Sequence, residues 1–226
     1  MDLLKILIVI LHIFILTNSY DLICKVTKKE KCLFIFWVFL LQFIVEILFY
    51  FISLYGFGME KISFTCIIFA YLIGLKKFDK YKAIFISLLL SLLYHSTHTF
   101  LSVTISSVTG DSFVTKYEDL FFVVVLLLTY FVIKKIIFYF HLELNYFDKD
   151  YLYSFFKKII FAFLALQILL FISDIVSTHA HFNSFGSILA TIVFICLLLI
   201  FFAMNSHKVR VEKEIALKQK KFEQEH

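Results

Sequence analysis

The chain has 226 residues, 62% of them hydrophobic, with a mean hydropathy of +0.93, no proline and a formal net charge of +5. A soluble domain of that length has too little interior to hide so much apolar surface, whereas each bilayer crossing takes up about 20 apolar residues. The composition therefore excludes a soluble globular domain. It predicts an all-α, polytopic membrane helix bundle, since the apolar runs lack the alternation of barrel strands.

Seven segments read as helices. Leu3–Ile23 comes first; it lacks a basic leader and a small-residue cleavage site, so it is expected to be a retained helix and not a signal peptide. Cys32–Leu54 follows, with Gln42 and Glu46 four apart on one face. Ile62–Leu75 is the weakest, because at ~1.5 Å per residue it covers only ~21 Å and needs Glu60 and Lys61 to snorkel to the surface. Ala83–Ser107 carries Ser87, Ser91, His95, His98 and Ser102, one polar stripe on an otherwise aliphatic helix. Leu120–Phe140, Ile159–Val176 and Phe182–Met204 complete the set.

Basic residues orient these segments. Lys25, Lys28, Lys29 and Lys31 fill the first connection, and Lys76, Lys77, Lys80 and Lys82 fill the third. Lys134, Lys135, Lys149, Lys157 and Lys158 flank the fifth, and the tail holds six more; only Lys5, Lys61 and Lys116 of the 22 basic residues fall on the other side. The positive-inside rule then places the N-terminus outside and the C-terminus in the cytoplasm. Dropping the third span would break this alternation. The outer face keeps Asp2, Glu60, Asp111, Glu118, Asp119 and Asp174, so its sum is negative and it suits a cationic amphipathic ligand.

Ionisable groups at membrane depth are costly and usually face the bundle interior. Glu46 and His98 sit at comparable depth, roughly 12–14 Å below the outer end, so Glu46 is expected to meet the His95/His98 seam. Interhelical glue, ligand sensing and ion conduction all remain open roles for that seam. His179 and His181 form an H-x-H pair on the outer connection, but two ligands without a Cys or carboxylate cluster predict a solvated loop and no metal site. Cys24, Cys32, Cys66 and Cys196 show no CxxC spacing, which predicts neither zinc nor disulfides.

After Met204 the sequence turns polar. Met204, Lys208, Val211, Ile215, Lys218 and Phe222 fall on a heptad seam, the pattern of a short, half-polar coiled coil. Residues 1–205 are therefore expected to form a transmembrane bundle, and 206–226 a cytoplasmic signalling helix.

Four stretches carry a family resemblance: HIFILTNSYDLICK (12–25), SLLYHSTHTFLSVTISSVTGDSF (91–113), FHLELNYFDKDYLY (140–153) and NSFGSILATIVFICLLLIFFAMNSHKVRVEKEIALKQKKFEQ (183–224). The chain resembles, along its whole length, the streptococcal competence-stimulating-peptide receptors, ComD-type sensor histidine kinases related to the AgrC-like pheromone receptors. That resemblance implies a homodimeric two-component sensor that binds a secreted cationic peptide in quorum sensing and competence induction. It also implies a cognate response regulator as partner of the full-length protein, with no nucleic-acid partner. The family's phosphoacceptor histidine and ATP-binding domain are expected beyond residue 226, and His226 is not that phosphoacceptor. ATP and Mg are thus implied for the full-length kinase, while this segment is expected to be non-catalytic and without a cofactor. Taken with the acidic outer face, the resemblance makes Glu60, Asp111, Glu118, Asp119 and Asp174 the candidate peptide-steering acids. Phe57, Phe113 and Phe182 are the candidate acceptors of its apolar side. The alternative is a small-solute or ion transporter using the Glu46/His95/His98 seam, which would normally show inverted repeats and Gly- or Pro-broken helices. A Cys66–His98 protease pair would lack any group to orient the base.

Overall fold

A computed structural model describes residues 3–52, 59–110, 114, 116–142, 153–178 and 183–225; its side chains at 3, 5, 6, 42, 45–52, 59–64, 153–157, 174–178, 183–185, 224 and 225 lie outside the description. The described residues form seven helices and no strand: α1 (Leu3–Cys24), α2 (Lys28–Ile52), α3 (Met59–Gly74), α4 (Lys80–Thr109), α5 (Glu118–Tyr139), α6 (Tyr153–Thr178) and α7 (Asn183–Glu225). Four contain stretches long and apolar enough to cross a membrane, namely Leu7–Cys24, Lys80–Thr109, Glu118–Tyr139 and Gly186–Glu223. Thr65–Gly74 and Lys158–Ser173 are shorter apolar stretches.

Helix ends follow local chemistry more than hydropathy. α2 begins a turn before Cys32 because Thr27 and Glu30 make a capping box. The Thr27 N–H donates to Glu30 Oε2 at 2.8 Å, and the Glu30 N–H donates to Thr27 Oγ1 at 3.4 Å. α4 likewise starts at Lys80, where Asp79 accepts from the Tyr81 N–H at 3.0 Å. At the other end of α4, Gly110 takes φ +81°, a conformation for which glycine is the favoured residue, and its N–H returns to Ser106 O at 2.8 Å. Among the described residues, the other left-handed positions fall to Lys25, Lys77 and His141. At His141 the pair of bonds from the His141 and Leu142 N–H groups to Phe138 O and Ile137 O closes α5 as a Schellman motif.

α3 gains three residues at its start over Ile62. Its 16 residues still reach only ~24 Å, short of the ~30 Å hydrocarbon core. The last apolar helix does not end at Met204. α7 runs unbroken for 43 residues, about 65 Å, so the apolar segment and the polar tail are one rod. What changes at that point is burial: Ala190, Val193, Phe194, Leu197, Phe201 and Met204 are buried, whereas residues 212–223 are all exposed.

α4 is the hub. Among the described residues it packs against α1, α3, α5, α6 and α7, and residues 85–94 along it are all buried. α2 lies at the edge and touches only α1 and α3 among the described helices. Outward from the bundle, nearly every helix shows large apolar side chains, among them Phe36, Phe39, Phe43, Phe131, Phe161 and Phe202.

The lysine-rich ends of α1, α2 and α3 are joined by aromatic and ionic contacts. Phe34 stacks on Tyr20 at 4.4 Å and meets Tyr71 edge-on at 5.0 Å, all three rings fully buried. Around them, Lys31 bridges Asp21 at 2.8 Å and Asn18 at 3.0 Å, Tyr71 donates to Glu30 O at 3.3 Å, and Lys76 pairs with Glu30. The Lys76 ammonium, helped by the Thr27 N–H, holds the Glu30 carboxyl down to about 2 from its ordinary 4.5. Because the folded value is the lower one, this link contributes fully above about pH 4.5 and fades as pH falls toward 2. The thermal midpoints of wild type and Glu30→Gln in detergent are expected to differ at pH 6 and converge at pH 2.5; a gap of constant size would remove the link from the account. The effect is small, since Glu30 is 37% exposed and screened.

Candidate functional site

All five residues of the α4 stripe are described. Ser87 and Ser91 are buried, while His95, His98 and Ser102 are half-buried. Ser91 accepts a hydrogen bond from Thr65 Oγ1 of α3 at 2.8 Å, and Ser87 Oγ donates to Ile84 O at 2.9 Å. On the α1 side the seam meets His12, whose ring centroid is 5.0 Å from Tyr94 and 6.1 Å from His98. Tyr94 in turn lies 5.0 Å from His95 and stacks on His98 at 5.9 Å. The seam is thus a polar and aromatic contact among α1, α3 and α4, centred on a histidine and a tyrosine that the spacing rule alone does not single out.

Gln42 and Glu46 have side chains outside the described residues, and the described packing of α2 is on α1 and α3, with α3 beside the face of α4 that carries Ser91. Cys66 on α3 is exposed, pointing away from the packed interior. His179 and His181 lie outside the described residues.

Of the candidate peptide-contacting groups, Phe57, Asp111, Phe113 and Phe182 lie outside the described residues, as do the side chains of Glu60 on α3 and Asp174 on α6. Glu118 and Asp119 are described: they occupy the first turn of α5, Glu118 exposed and Asp119 half-buried. Carboxylates there complement the positive helix terminus, which is reason enough for their placement in the fold. Beside them, Lys116 sits over the exposed Tyr117 ring at 5.2 Å. This acidic turn follows directly on the outgoing end of the hub, through the 110–117 connection.

At the output side, Met204 belongs to the bundle interior. Lys208 and Val211 are half-buried, and Ile215, Lys218 and Phe222 are exposed. The heptad seam therefore starts inside the bundle and emerges along the same helix. α7 is held at its start by Ser173 of α6, whose Oγ donates to Gly186 O at 2.7 Å. Farther along, Phe100 of α4 stacks on Phe194 at 4.5 Å. Comparison of the chain with protein-family models, with curated proteins and with solved structures returns no match.

Proposed function

We propose that the chain is the membrane-embedded receiving segment of a two-component sensor kinase that binds a secreted cationic peptide pheromone. In this reading seven helices cross the bacterial membrane, with the N-terminus outside and the tail of α7 in the cytoplasm, as the lysine alternation requires. The observation that carries the reading is the position of α4. In sequence α4 leads directly to the acids Asp111, Glu118 and Asp119, and it also packs along α7, which among the described helices is the one that continues into a long polar tail. The four stretches that resemble ComD-type receptors include both of these places.

The mechanism is a population shift. Peptide docks its basic groups near Asp111, Glu118 and Asp119 and its apolar face near the outer helix ends, favouring one arrangement of α4 against α6 and α7. Driving an equilibrium from 1:99 to 99:1 requires about 5.5 kcal/mol of differential binding, a demand that several charges plus an aromatic contact can meet. Two α7 tails then change register along the half-polar Lys208/Lys218 seam and reposition attached kinase domains.

Charge reversal tests the ligand side. Asp111→Lys combined with Glu118→Lys is expected to weaken competence-stimulating-peptide binding by about tenfold or more at low salt, about 1.4 kcal/mol, and by less at high salt. Equal affinity for the variant and wild type at low salt would eliminate these acids as the steering surface.

A further inference from the structure

α7 leaves the bundle at Met204, so whatever fixes its rotation just before that point fixes the direction in which the tail seam faces. Three elements meet there around one ring. Phe201 is fully buried; Phe163 of α6, also fully buried, meets it edge-on at 6.3 Å and 89°. Phe140, the residue that caps α5, lies 5.7 Å from it. Phe163 is itself stacked on Phe85 of the hub at 5.5 Å and 19°. The series Phe85–Phe163–Phe201–Phe140 thus ties α4, α5 and α6 to a single side chain of α7, one turn above the tail.

We propose that Phe201 is the positioning residue through which α4, α5 and α6 set the rotation of the α7 tail; as a route for peptide signals, this rests on the receptor reading above. A ring wedged edge-on against one neighbour and inclined to another resists rotation of its helix, because packed interiors accommodate discrete rearrangements better than gradual ones. Between Gly186 and Glu225, α7 has neither glycine nor proline, so a turn imposed at Phe201 reaches Ile215 undamped. Two further described contacts on α7, Ser173–Gly186 and Phe100–Phe194, lie farther from the tail. A displacement of α4 has a direct line to Phe201 through Phe85 and Phe163, and a displacement of α5 has one through Phe140.

The test uses the chain in lipid nanodiscs with nitroxide amino acids at Phe161 and Leu217, both exposed, and reads the distance distribution between them. Without peptide, wild type is expected to give one narrow peak. Phe201→Leu is expected to lose it to a broad distribution, while Phe202→Leu, changed at the adjacent outward-facing position, keeps it. A narrow peak for Phe201→Leu, or equal broadening for Phe202→Leu, overturns the assignment. Synthetic competence-stimulating peptide is then added: wild type is expected to shift its peak, and Phe201→Leu to bind the peptide without the shift. Failure of wild type to bind peptide counts against the receptor reading alone, because the peptide-free widths already decide the role of Phe201.

Discussion

Phe34→Ala is expected to destabilise the bundle by about 3–5 kcal/mol, the usual range for deleting a fully buried phenylalanine ring. Phe34 stands between Tyr20 of α1 and Tyr71 of α3, so the cavity opens where three helices meet, and none of the three rings has solvent into which to relax. The same substitution two residues on, Phe36→Ala, removes an equally large side chain that is 62% exposed on the outward face of α2, and it is expected to change stability by no more than about 0.5 kcal/mol. Unfolding midpoints in a denaturing-detergent titration compare the two. A Phe34→Ala loss as small as that of Phe36→Ala would mean that the aromatic contact does not join these helices.

Ala190→Leu is the second large effect. Gly186 and Ala190 are four apart on α7, both buried, and Ser173 Oγ reaches the Gly186 carbonyl at 2.7 Å. The pair has small-xxx-small spacing, in which short side chains allow two helix backbones to approach closely where apolar burial alone provides little drive. Ala190 is fully buried, so three extra carbons at position 190 have to displace packed neighbours. The expected cost is about 2–3 kcal/mol, and it falls on the α6–α7 pairing first. Proteolysis of the 143–152 connection and loss of the Phe161–Leu217 distance peak would register it; an unperturbed pair would show that the approach is looser than the hydrogen bond indicates.

Much of the fold was legible from hydropathy and lysine punctuation, for physical reasons. Apolar runs of about 20 residues have few alternatives to a helix, and with no proline and no glycine after Gly186, α7 had nothing to interrupt it between bundle and tail. Where boundaries shifted, the signal was local and present: Thr27 and Glu30 already stood three apart as a capping box, and Asp79 stood before α4.

Neighbourhood was not legible. The stripe from Ser87 to Ser102 showed that α4 had a polar face, yet nothing in a single sequence says which helix lies against it. Glu46 matched that face in depth. His12, an isolated histidine in an aliphatic run, is the group found beside His98 and Tyr94. The Phe85–Phe163–Phe201–Phe140 series was hidden for the same reason. In a chain with 31 phenylalanines, the residue type carries no information about which four rings meet.

The proposed reception of a cationic peptide on the outer face of the bundle is tested most directly by binding. Labelled competence-stimulating peptide is titrated onto the chain in nanodiscs, with empty nanodiscs of the same lipid alongside. The account predicts saturable binding to the chain that weakens steeply as salt rises. Binding indistinguishable from that to empty nanodiscs would contradict it.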